Sequence, residues 1–194
     1  MRDGKRLEAE MNRHADLLRA SEKALARALN DYKAPASSSA AAEFHQLRVQ
    51  GAIFNYDICS SMVSLWITEP RGFAQSVALK NIVGKLYEYD LALSSRLVNR
   101  ILRLAEDRGM SVPSDTIKRE RRKWRDQLAR LSRWADLRNH ASGHYGKDIP
   151  KQIELISELQ RNEVMSVAEA FLSFNNFVST VLADVGRGRV VLRE

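Results

Sequence analysis

Nine glycines and four prolines leave long stretches of this chain with nothing to interrupt a helix, and those stretches carry apolar residues at helical period. The spacing predicts a first helix over 5–32, where Leu7, Met11, Leu18, Leu25 and Leu29 recur at steps of four and seven. Pro35 and the serine run of APASSSAAA (34–42) end it in a loop, and Ser39 is a candidate N-cap for the second helix. That helix, over 41–67, carries Phe44, Leu47, Phe54, Ile58, Val63 and Trp66. It is apolar around much of its circumference and is expected at the centre of the fold. Glu69-Pro70-Arg71-Gly72 breaks it.

A third helix is predicted over 74–108, with Leu79, Val83, Leu86, Leu93, Leu97, Ile101 and Leu104 as its stripe. Gly109 fits a C-terminal cap and Pro113 a stop. Ser114 is a candidate cap for a fourth helix reaching about residue 139. RNHASGHYGKDIP (138–150) is a polar, glycine-containing break before a short helix over 151–159. A last helix, over 164–185, carries Val164, Val167, Ala168, Phe171, Phe174, Val178 and Leu182, and 186–194 is a C-terminal tail. Only VVL near the C-terminus hints at a strand, and there is no internal repeat. The expected architecture is all-α, an up-down helical bundle of about five to six helices with short loops, forming a single domain over 1–194.

A chain of 194 residues buries roughly 70% of its unfolded surface, so its core needs neither disulfide nor metal. The lone Cys59, set among Ile58, Met62 and Val63, reads as a buried thiol in a reducing compartment. The opening MRDGKRLEAEMNRH lacks the apolar core of a signal peptide. The most apolar stretch (51–67) is interrupted by Asn55 and Asp57 and falls short of a membrane span. A soluble, cytoplasmic protein without a membrane partner is expected.

Lysine and arginine number 31 against 24 acids, a net +7 with pI near 9.7. The densest positive run lies in the fourth helix: Lys118, Arg119, Arg121, Arg122, Lys123, Arg125 and Arg130 stand against Glu120 and Asp126, seven minus two, or +5, over 117–130. Such a run is either a solvated helix face or an electrostatic footprint for phosphates; Trp124 in its middle could stack on a base, but its spacing argues otherwise. The apolar seam of this helix runs Trp124, Leu128, Leu131, Ala135 and then Arg138, at steps of four, three, four and three. Arg138 is therefore expected to point inward or into a subunit contact, where a charge requires a partner.

His140 and His144 come next, and Ser142-Gly143 turns the backbone between them. A histidine titrating near neutrality beside a fixed cation and the Asn139 amide suits phosphodiester chemistry. The imidazole moves a proton while the guanidinium balances charge on a phosphorane-like transition state. The alternative is a polar helix end where these side chains cap the last carbonyls. A zinc pair at His140 and His144 is disfavoured by Gly143 and by the lack of an HExxH glutamate, so no metal or cofactor is expected.

Arg138-Asn139 with five residues between Arg138 and His144, at the end of a long helix in an all-α chain, resembles the R-x(4–6)-H motif of HEPN domains (higher eukaryotes and prokaryotes nucleotide-binding). Asn139 matches the polar residue that commonly follows the arginine in that family. The resemblance implies a metal-independent endoribonuclease of toxin–antitoxin, abortive-infection or other phage-defence type. Its substrate would be RNA, and it would act as a homodimer with two motifs meeting in one composite site. It implies His144 as general acid/base, Arg138 as transition-state stabiliser and Asn139 as an orienting group, with His140 and Tyr145 as neighbours. Lys118, Arg119, Arg121, Arg122, Lys123 and Arg125 would then bind RNA, and an antitoxin or nucleotidyltransferase would be a possible partner. The alternative is a non-catalytic HEPN-like module that dimerises and binds a partner protein or nucleic acid.

Overall fold

The structure is a computed structural model that describes the backbone of residues 2–141 and 148–189, and the side chains of 9–113, 115–139 and 148–189. Among the described residues every regular element is helical. They are α1 (Arg2–Lys33), α2 (Ser39–Thr68), α3 (Phe73–Ala92), a π turn (Leu93–Leu97), α4 (Val98–Asp107), α5 (Ser114–Lys123), α6 (Arg125–Arg133), α7 (Ala135–Ala141), α8 (Ile149–Ser157) and α9 (Arg161–Gly186). The all-α expectation is met. No described helix is long and apolar enough to cross a membrane.

α2 and α9 share the centre. The largest fully buried side chains include Ile58, Met62 and Leu65 from α2 and Phe171 and Phe174 from α9, and α3 adds Leu79, Ile82 and Leu86. α2 packs on α1, α3, α4 and α9, while α9 also meets α3, α4, α5 and α6. Its buried positions Val164, Val167, Ala168, Phe171, Phe174, Val178, Val181, Leu182 and Val185 keep mostly to steps of three and four, and Met165, Ala170, Leu172 and Asn175 beside them are buried too. That wide stripe lets one helix face several neighbours.

The helix ends show which local signals operate. Ser38, one residue before the expected cap, has its hydroxyl accept from the Ala41 amide at 3.1 Å, so α2 begins at Ser39 and the loop is shorter than 34–42. Ser114 is likewise the first helical residue, following Pro113, and not a cap. Gly109 terminates α4 as expected. It adopts φ +67, and the Gly109 and Met110 amides donate to the Glu106 and Ala105 carbonyls at 2.9 Å each, the paired bonds of a Schellman ending. Asp148 caps α8, accepting from the Lys151 amide at 3.0 Å with Pro150 in the first turn.

Two expected helices are interrupted. The 74–108 helix passes through the π turn, where the Val98 amide reaches the Leu93 carbonyl. The serines of Leu93-Ser94-Ser95-Arg96-Leu97 compensate: Ser94 Oγ donates to the Asp90 carbonyl at 2.8 Å and Ser95 Oγ to the Leu91 carbonyl at 2.6 Å. The 114–139 helix breaks at Trp124 (φ −107, ψ 18) and Trp134 (φ −89, ψ 8). At each the amide turns to the carbonyl three residues back, Arg121 and Leu131, at 3.1 Å. These breaks let one segment curl from α9 towards α3 and α8.

α1 departs from its expected stripe. Met11 is 43% and Leu29 38% exposed, while His14, Ser21 and Ala28 are buried and Leu18 and Leu25 half-buried between them. The seam His14-Leu18-Ser21-Leu25-Ala28 keeps steps of four and three, and its small members suit close packing on α2. The expected burial of Cys59 holds at 5% exposure, and it pushes the thiol above the ordinary range.

At the far end of α9, Gly186 meets the Phe44 ring of α2: a Cβ there would lie 2.4 Å from Phe44 Cε2. Gly186→Ala is expected to destabilise the fold by about 1–3 kcal/mol, the range for overpacking, as read from urea unfolding. A Phe44→Leu background that relieves the loss would assign it to that contact.

Candidate functional site

Arg138 sits in α7 and points neither into the core nor freely into water. Its Nε donates to Glu88 Oε1 of α3 at 2.8 Å, and Nη1 donates to Asn139 Oδ1 at 3.2 Å. The side chain is 40% exposed. The expected seam through Ala135 and Arg138 is corrected: the buried residues are Leu128, Leu131, Trp134 and Leu137. The 3₁₀-type bond at Trp134 is the reason. A 3₁₀ turn advances the chain by about 120° per residue, against 100° in an α-helix, so the buried face slips back by one residue. Arg138 is left at the edge of the core, where Glu88 supplies the charge partner. That bond, with the Coulomb attraction behind it, holds the guanidinium still more firmly protonated than usual.

Asn139 is exposed beside Arg138 and accepts its hydrogen bond, so the first two residues of the motif are brought together. His144 and Tyr145 lie outside the described residues. His140 falls within α7, and its side chain is likewise outside the described residues.

The basic run has a different character from the one its composition suggests. Arg121 forms a two-pronged pair with Asp90 of α3, at 2.6 and 3.0 Å, and its guanidinium lies 5.6 Å from the centre of the Phe174 ring. It pins α5 to α3 and α9. Arg122 pairs with Asp115 at 2.9 Å, Lys123 with Glu120 at 2.5 Å, and Arg130 with Glu163 at 3.4 Å. Lys118, Arg119 and Arg125 stand at the surface, Arg125 at 4.0 Å from Asp126. Trp124 is half-buried with its indole nitrogen enclosed and unpartnered among the described residues, which suits packing rather than base stacking.

Glu88 and Asp90, absent from the sequence-based candidates, therefore organise the site. The available signal was Tyr87-Glu88-Tyr89-Asp90, two acids in a helix whose other charged residues, Lys80 and Lys85, are cations. Two residues apart on a helix, they diverge, so Asp90 meets α5 and Glu88 meets α7.

Glu88 also lines a groove of about 670 Å³ between α2, α3 and the π turn. Its base includes Phe54 and Tyr89, whose rings stack at 3.9 Å and 6°. Ile53, 51% exposed, forms part of one wall. Below it a buried polar chain joins three helices: the Tyr89 hydroxyl donates to Asn175 Oδ1 at 3.0 Å, and Asn175 Nδ2 donates to Asn55 Oδ1 at 2.8 Å. The arrangement offers a fixed cation at a helix end, an amide beside it and an adjoining groove with an apolar base.

No protein-family model, curated protein or solved structure matches this chain, so a functional reading rests on its residues and their geometry.

Proposed function

We propose that this chain is a HEPN-type, metal-independent endoribonuclease, acting as a homodimer in toxin or phage-defence biology. The observation that carries the reading is the guanidinium of Arg138, half-exposed and oriented by Glu88 and Asn139, six positions before His144. In the proposed reaction His144 accepts the proton of the attacking ribose hydroxyl and later returns one to the leaving oxygen. Arg138 balances the charge gathering on the phosphorus oxygens, and Asn139 keeps the guanidinium in register. Carboxylate-held guanidinium groups suit this task because their planar fork stays charged and directed.

Purified protein incubated with total RNA in EDTA is expected to leave 2′,3′-cyclic phosphate ends. His144→Ala and Arg138→Ala are each expected to slow cleavage by about 10²–10⁴-fold, the usual worth of a positioned acid/base or charge-stabilising group. Equal cleavage by parent and both variants would sink the assignment. A second reading, a non-catalytic module, is favoured by the ion pairs that already occupy Arg121, Arg122 and Lys123. It predicts no turnover by any of the three proteins, with His144→Ala lowering dimer affinity or thermal stability instead.

A further inference from the structure

We infer that the groove between α2 and α3 is the track for single-stranded RNA, and that the basic run of α5 is not; this rests on the ribonuclease reading above. The groove's acids are already engaged. Asp57 accepts from Lys85 Nζ at 2.5 Å, and the same ammonium reaches Ser61 at 2.9 Å. Glu88 accepts from Arg138 at 2.8 Å. The remaining charged lining residues are Lys80 and Arg96, both cations, and neither forms an ion pair among the described residues.

Lys80, Gly84, Glu88, Ala92 and Arg96 all line the groove and recur every fourth residue along one ridge. At about 1.5 Å of rise per residue, somewhat less through the π turn, Lys80 and Arg96 stand roughly 24 Å apart along the helix, with Glu88, which holds Arg138, midway between them. A chain of phosphates is the anion that meets cations at both ends of such a ridge while passing Arg138 midway. A single nucleotide is too short to do so.

The base of the groove selects for unpaired bases. Ile53, Tyr89 and Ala92 present apolar surface above the buried Phe54 and Leu97, and Ile53 is 51% exposed although it lies well inside α2. Base faces in a single strand are open to such contact, whereas in a duplex they are stacked away. The paired α5 cations offer less, because a phosphate there competes with Asp90, Asp115 or Glu120 for its partner.

The test uses the full chain carrying His144→Ala, so that bound RNA is not cut, with a fluorescein-labelled eight-nucleotide oligouridylate followed by anisotropy. Adding Lys80→Glu and Arg96→Glu together is expected to weaken binding at least tenfold at low salt. It should also flatten the log–log salt slope by about 1.4, two contacts at about 0.7 each. Arg122→Glu with Lys123→Glu is expected to change binding less than twofold. Lys80→Gln with Arg96→Gln, which introduces no new charge into the groove, should weaken binding in the same order and covers a failure of the glutamate variant to fold. The inference is overturned if the α5 pair weakens binding more than the groove pair, if a hairpin duplex binds as well as the single strand, or if no oligonucleotide binds. Cleavage by His144-intact protein with an unaltered KM in the groove variant would remove the track and leave the ribonuclease. Groove-dependent binding without cleavage would do the reverse.

Discussion

Phe171→Ala is expected to lower the free energy of unfolding by about 3–5 kcal/mol, the range for emptying a buried aromatic site. The magnitude reflects how completely the ring is enclosed. Phe171 has 0% exposure and meets three other aromatic rings edge-on: Phe54 at 5.4 Å, Tyr89 at 6.1 Å and Phe174 at 6.2 Å. Those rings come from α2, α3 and α9, so the cavity opens where the three helices converge and none of them can collapse alone to fill it. Urea titration by circular dichroism should show a lower midpoint with little change in slope. Phe171→Leu, which keeps most of the volume, should cost about 1–2 kcal/mol. A loss below about 1 kcal/mol for the alanine variant would mean that the three-helix junction is not the centre of the core.

The second large effect is expected at Asn175, 1% exposed and one residue beyond Phe174. Its amide joins Tyr89 of α3 to Asn55 and the Gly51 carbonyl of α2. Asn175→Ala strands the Tyr89 hydroxyl and the Asn55 carbonyl, so a cost of about 2–4 kcal/mol is expected at one to two unsatisfied groups. Because Tyr89 also forms the base of the α2–α3 groove, the same variant should weaken oligouridylate binding, unlike Phe44 or Gly186 variants at the far end of α9.

The Tyr89 phenol supplies an independent readout. Burial raises its pKa above the ordinary value of 10.0 despite the Asn175 bond. A phenol whose pKa is raised by folding contributes stability that is complete below about pH 10 and declines as pH rises beyond it, because the unfolded chain gives up the proton first. The parent should therefore lose stability between about pH 10 and pH 12 by a component that Tyr89→Phe lacks. Identical alkaline profiles for the two proteins would contradict the buried position of that hydroxyl.

Much of the scaffold is legible in the residues alone because its signals are local. The Gly109 ending and the succession of helical stretches depend on residues within about four positions of one another. Errors of one residue at Ser38 and Ser114 reflect several adjacent candidates for one hydrogen bond. The missed π turn has the same origin, since its serines satisfy carbonyls that a regular helix would have used. The two tryptophan breaks were less accessible. A bulky ring can be accommodated by a helix in many settings, and only the neighbours on α3, α8 and α9 decide that here the backbone yields.

The candidate site divides along the same line. An all-helical chain, a buried thiol at Cys59 and the adjacency of Arg138 to Asn139 all follow from composition, helical period and neighbouring positions. Packing between distant helices placed Arg138 at the core's edge on Glu88, 50 positions away, and engaged Arg121 with Asp90, 31 positions away. It also settled which flank of α1 is covered and which cations line a groove. Each of these outcomes depends on which helix faces are brought together, and a charge run specifies only that partners are needed. The acids that answer it are chosen by contacts between segments far apart in the chain.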